Sequence, residues 1–241
     1  MSGALLPWPQ LLRRHRIPTL MAVPGVIILL ALSGWQVARH FERAAENAVR
    51  AERLAAPPIP LDQALTDPDG SRFRRVRVEG RFDHAHEVHV YARSLNGNEG
   101  FFIVTPVLRD GALPVFVNRG WVPTRLADPA RRPQGQVEGA VAVDGILRTE
   151  LRRPPLAPDN DVRGNRWFWF DLPAMARAAG LGQVWPGYVE AGPAPNPGGF
   201  PVGGQTQEQL PRPHLQYAFT WFALAVGLAV IYVIYVRGRP D

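Results

Sequence analysis

The sequence predicts a membrane protein of the α+β class, with two transmembrane helices flanking a mostly antiparallel, barrel-like β domain that carries one main helix. Three observations lead there. Two uncharged stretches, residues 17–38 and 215–236, lie near the ends of the 241-residue chain, and at about 1.5 Å of rise per residue each makes roughly 33 Å of helix, enough for a ~30 Å hydrocarbon core. Between them run several short stretches of strand-like composition divided by Gly, Asn and Asp clusters. Only one segment of that middle region has both a helix start and a helix stop signal.

Composition narrows the chemistry. The chain has 46% hydrophobic residues, so two apolar spans leave a fairly polar remainder, enough for one soluble domain. It contains no cysteine, which excludes disulfides, thiolate nucleophiles, cysteine-held zinc and cysteine-held iron–sulfur clusters within this chain. All 27 basic residues are arginine, so no side-chain amine is present for Schiff-base chemistry. Of the net charge of +6, most sits in the tails on Arg13, Arg14, Arg16, Arg237 and Arg239. The middle domain is nearly balanced, and nucleic acid is not an expected partner.

In chain order, residues 1–16 form a basic tail and residues 17–38 the first span, entered through R-R-H-R and containing Pro24-Gly25. Proline inside a membrane helix bends it without abolishing it. A cleavable signal peptide is the competing reading, because Ala31-Leu32-Ser33 has a small-x-small form; the length of the run and the Gly34-Trp35-Gln36 anchor favour a retained span. Residues 39–56 are alanine-rich, with Glu42, Glu46 and Arg50 at helical spacing, and continue the helix as a stalk until Pro57-Pro58 stop it. The β-rich domain occupies residues 57–213, the second span 214–236, and a short tail 237–241.

Within the domain a helical turn is expected at 60–65, and strands at 72–82, 87–93, 101–109, 113–121, 137–149 and 167–171. Asp110-Gly111 marks a tight hairpin. The helix runs over 171–179: Asp171 is a good N-cap, Pro173 fits the first turn, and Gly180 ends it. Beyond Val189 the chain is too rich in Gly and Pro for regular structure.

Two retained spans put both tails on one side of the membrane. Charge does not say which, since five arginines flank the spans on the tail side and five, Arg39, Arg43, Arg50, Arg53 and Arg212, on the domain side.

Few constellations carry chemistry. His84, His86 and His89 are close in sequence, but on a strand His84 and His86 share a face that His89 does not, so three ligands do not converge without a bulge. Asp159-Asn160-Asp161 with Gly164 is too short for a calcium loop and reads as a turn. No nucleophile elbow, P-loop or dinucleotide fingerprint is present, and nothing pairs a nucleophile with a base, so no enzyme is expected. Trp167, Phe168, Trp169 and Phe170 read as sheet core, with the possibility of one face exposed to something apolar. At the second span, His214 stands beside the first apolar residue with Tyr217 and Trp221 following, either an interfacial histidine reaching water or a ligand.

Several motifs in order resemble the surfeit-locus cytochrome oxidase assembly factors, the Surf or Shy proteins. They are G-W-Q-x-x-R at 34–39, R-V-x-V-x-G-x-F-D at 75–83, V-N-R-G-W-V-P at 117–123, R-x-P-x-x-P-D-N at 153–160, N-x-W-F-W-F-D at 165–171, G-G-Q-T at 203–206 and H-L-Q-Y-A-x-T-W-F at 214–222. The resemblance implies a two-span protein of the bacterial inner (plasma) membrane with its domain on the periplasmic side. It implies support for insertion of haem a into subunit I of cytochrome c oxidase. Haem a is the implied cofactor, bound transiently, with His214 as its iron ligand. Partners would be oxidase subunit I, haem a synthase and membrane lipid.

Around that ligand, the apolar macrocycle would lie on Trp35, Tyr217 and Trp221 and its propionates would face Arg212, with Arg39 and Arg119 as further candidates. Arg119, Gly120 and Trp121 fit a strand end with a turn glycine better than direct haem contact. A membrane-tethered scaffold that stabilises an oxidase intermediate without touching haem is the alternative function.

Overall fold

A computed structural model describes residues 15–149, 151–206 and 213–238. The chain divides into two compact units, residues Met1–Val49 with Gln209–Asp241, and Arg50–Glu208.

The first unit holds most of the long helix α1 (Arg16–Ala55), up to Val49, and the C-terminal helix, which is α3 in chain order (His214–Arg237). Both are long and apolar enough to cross a membrane, and little of their most apolar windows is buried. Stalk and first span are one continuous helix of 40 residues with Pro24 inside it. The helices run antiparallel. Thr19 meets Tyr232 through a 2.6 Å hydroxyl–hydroxyl hydrogen bond, and Ser33 Oγ donates to the Ala218 carbonyl at 2.9 Å. Small residues permit this approach: Ala218 and Ala225 are buried, and a Cβ on Gly25 would lie 3.0 Å from Leu228. Close backbones joined by a few hydroxyls are how helices associate where apolar burial alone gives no drive.

The second unit is an eight-stranded sheet made of β1 (Ile59–Pro60), β2 (Arg75–Phe82), β3 (Val88–Leu95), β4 (Asn98–Leu108), β5 (Val115–Pro123), β6 (Val141–Arg148), β7 (Arg166–Trp167) and β8 (Tyr188–Ala191). Its order is β1-β2-β6-β8-β5-β4-β3-β7. The β3–β4 hairpin turns on Asn96 and Gly97, both at positive φ (51° and 79°), the backbone that matches the twist of two antiparallel strands. In β2, Val76 and Val78 are fully buried while Arg75, Arg77 and Glu79 face out, the alternation of a half-buried strand. β5 is buried along its whole length. Val115 and Val117 pack with Leu61, Val76 and Trp185, and Phe116 packs with Trp167, Leu172 and Met175.

The expected barrel-like sheet is corrected to a mixed sheet, still mostly antiparallel through β2–β4, β2–β6, β3–β4, β4–β5 and β6–β8. β1–β2, β3–β7 and β5–β8 are parallel pairs, and β2 meets β4 at only two residue pairs, Arg81–Leu108 and Phe82–Val107, so the sheet curls toward itself without forming a clear barrel. The source of the discrepancy is β8. It fills the gap between β5 and β6, yet it is only Y-V-E-A between Gly187 and Gly192, too short to show a period. The expected strand at 167–171 shrinks to Arg166–Trp167, because Asn160 Oδ1 takes the Phe168 N–H at 2.8 Å and removes it from the ladder. The helix α2 (Leu172–Ala178) starts where expected, with the Asp171 side chain accepting the Ala174 N–H at 3.1 Å. It ends before Gly180, at φ 64°.

Candidate functional site

His214 is the first residue of α3, directly after Pro213. Its Nδ1 lies 2.9 Å from Gln36 Oε1 on α1. An amide oxygen can only accept, so the imidazole donates from Nδ1 and its second nitrogen makes no hydrogen bond among the described residues. His214, Ala218 and Ala225 share the side of α3 that faces α1, as the contacts from Gln36 and Ser33 establish. Trp35 and Tyr217 are 57% and 53% exposed, and Trp221 is half-buried. Arg212 lies outside the described residues. Arg39 is engaged in an ion pair with Glu42 at 2.7 Å. In the sequence Gln36 reads only as part of an interface anchor; the signal for its contact with His214 is a polar side chain within an apolar run, which in such helices needs a partner.

Arg119 belongs to the second unit and is 1% exposed. A β-bulge places it there: Ile103 pairs with Gly120 and Val104 with Asn118, leaving Arg119 as the extra residue. Its Nη2 donates to the Gly135 carbonyl, its guanidinium stands 4.6 Å over the Phe82 ring, and its Nη1 is 3.9 Å from Glu87 Oε2. Glu87 also takes Arg132 as a buried partner and a hydrogen bond from His89 Nε2 at 3.0 Å. Burial works to raise the Glu87 carboxyl, but the hydrogen bonds from His89 and Arg132 outweigh it and hold the group below the usual range. Burial pulls Arg119 down to about 10, with Glu87 opposing, so it remains a cation at neutral pH.

This network ties the irregular segment after β5 to the start of β3, since His84 Nε2 also bonds the Val137 carbonyl at 2.8 Å. The three clustered histidines are thus spent on separate partners: His84 on Val137, His86 on Asp83 and His89 on Glu87. Among the described residues no group of three potential ligands converges on a metal position.

Gly120 has φ 124°, and a Cβ there would overlap the Val202 carbonyl. Trp121 and Val202 exchange both backbone hydrogen bonds, at 2.9 and 2.8 Å, so the Gly203–Gly204 stretch is held along the ends of β5 and β8. The aromatic run does not alternate as one strand, because it leaves the ladder after Trp167. Trp167 is core, while Phe168 stacks on Tyr91 at 4.9 Å. Phe168, Trp169 and Phe170 line a cavity of about 180 Å³ with Leu151 and Arg152.

The sequence model of the SURF1 family matches residues 23–226, most of the chain. The chain belongs to the SURF1 family. Among curated relatives, Surfeit locus protein 1 of Homo sapiens is 31% identical over 238 residues, covering 92% of this chain and 78% of that protein. Surfeit locus protein 1 of Rattus norvegicus is 33% identical over 225 residues, 87% of this chain and 72% of its own length. A SURF1-like protein of Monosiga brevicollis is 33% identical over 224 residues, 88% and 84% of the two chains. Gln36 and His214 both lie within the matched region.

Proposed function

We propose that this SURF1-family chain is a membrane-anchored assembly factor for haem–copper cytochrome c oxidase that receives haem a at His214 and hands it on for insertion into subunit I. Family membership supports the general role. One observation carries the finer reading: His214 holds one ring nitrogen against Gln36 and leaves the other available to bind iron.

The surroundings fit such a group. Trp35, adjacent in sequence to Gln36, and Tyr217 and Trp221, within two turns of His214, are exposed or half-buried and would offer aromatic surface to a macrocycle. Haem a, when bound, would supply an iron for the His214 imidazole to ligate, and the chain's own residues would hold and release the group. Arg212, next to the span, is the proposed partner for the propionates. In this proposal α1 and α3 cross the cell inner membrane, both termini are cytoplasmic, and residues 57–213 stand on the periplasmic side. Oxidase subunit I, haem a synthase and lipid are the partners.

The test is haem content. The protein is purified in mild detergent from cells that make haem a, beside His214→Ala, with circular dichroism as the folding control. A Soret band in the parent chain and its strong loss in His214→Ala is the expected result, since losing an axial bond to iron costs far more than the ~1 kcal/mol of a hydrogen bond. Equal haem in both refutes the ligand assignment. No haem in either turns the reading to the scaffold function.

A further inference from the structure

We infer that Gln36 is a positioning residue for His214: its side-chain carbonyl holds the imidazole in the Nδ1–H tautomer and so presents Nε2 as a lone-pair donor to an iron or other metal-centred ligand. The ligand class rests on the function proposed above; the positioning itself does not.

A neutral imidazole has one donor nitrogen and one acceptor nitrogen, and which is which follows from the partner. Gln36 Oε1 stands 2.9 Å from Nδ1 and has no proton to give. The proton therefore sits on Nδ1 and the lone pair on Nε2. This is the arrangement in which a ligating histidine is found when its other nitrogen donates to a carbonyl or carboxylate, and that partner both orients the ring and raises its basicity.

Three features make the contact a device rather than a chance meeting. The two side chains come from different helices, 178 positions apart. Both are half-buried, so water has only partial access to the bond. The helices beneath them are clamped by the Ser33–Ala218 and Thr19–Tyr232 hydrogen bonds, which fixes the distance from Gln36 to His214 independently of either side chain. Sliding α3 along α1 by even one residue, about 1.5 Å, would break the pair. The register of the two helices thus decides whether His214 is competent to bind.

The test uses the full chain in detergent micelles, labelled with ¹⁵N in its histidine rings, as wild type, Gln36→Glu, Gln36→Leu and His214→Ala. With six histidines in the chain, the His214 signals are those missing from His214→Ala. In the haem-free protein, wild type and Gln36→Glu should show a protonated Nδ1 and an unprotonated Nε2, and Gln36→Leu a mixture of tautomers. Titrated with haem a, Gln36→Glu should bind at least as tightly as wild type and Gln36→Leu about 10-fold or more weakly, the range for losing a ligand's hydrogen-bonding partner.

A wild-type His214 with its proton on Nε2, or a tautomer unchanged in Gln36→Leu, overturns the positioning role whatever haem does. Equal weakening by Glu and Leu means that Gln36 acts through packing, and overturns it too. The expected tautomers with no haem a binding to wild type leave the positioning standing and overturn the haem reading alone.

Discussion

Glu87 and Arg132 form an ion pair inside the second unit with only 3% of either side chain exposed. Arg119 stands on the carboxylate's other oxygen at 3.9 Å, so one buried anion serves two buried cations. Removing it leaves both without their counter-charge. Glu87→Gln is expected to destabilise the second unit by about 3–5 kcal/mol, the cost of breaking a buried pair from one side. Denaturant unfolding followed by tryptophan fluorescence measures it, and a loss below about 1 kcal/mol would show that water reaches the cluster.

Acid should act on the same group. Because the Glu87 carboxyl is held low in the folded state, its contribution is complete above its unfolded value of about 4.3 and is lost as pH falls through the folded value. Wild type should therefore lose stability in that acid window by a larger margin than Glu87→Gln. Midpoints of thermal unfolding at a series of pH values, compared between the two proteins, check this.

Gly120→Ala should be among the most damaging small substitutions in the chain. At φ 124° an L side chain is strained, and the new Cβ would strike the Val202 carbonyl, which Trp121 N–H binds at 2.9 Å. The expected loss exceeds about 2 kcal/mol. Gly97→Ala is the comparison: its φ is also positive, but nothing lies near its Cβ, and its loss in the same unfolding assay should be the smaller of the two.

Asp171→Ala removes the side chain that takes the Ala174 N–H. The N-cap loss should be about 1 kcal/mol, and Asp171→Asn should recover most of it. Chemical unfolding of the three proteins side by side is the measurement.

Topology has its own test. A reporter that is active only after export, inserted between Gly97 and Asn98 in the exposed β3–β4 turn, should be active, while the same reporter fused at the C-terminus should be silent. The reverse pattern would put the second unit in the cytoplasm.

Much of this architecture was legible in the chain itself. The two apolar runs appear as α1 and α3, Asp171 and Gly180 bracket α2 as their chemistry dictates, and β2 to β6 fall on the expected stretches with ends shifted by a few residues. These are features written in neighbouring residues: a run long enough for a bilayer, a cap, a period of two. β1 and β8 left no such trace, being two and four residues long, and their parallel pairings made the sheet mixed where local turns pointed to antiparallel order.

The site divides in the same way. The family motifs, read directly from the sequence, include His214, and the lack of cysteine excludes thiolate chemistry within this chain, because residue identity alone decides both. That His214 Nδ1 meets Gln36, 178 positions away, and that Arg119 meets a buried carboxylate rather than solvent, through a bulge in its pairing with β4, is not written in the neighbours of either residue. Those two facts belong to the tertiary structure alone, since a hydrogen bond between helices and a slip between strands arise only when distant segments are packed in one register.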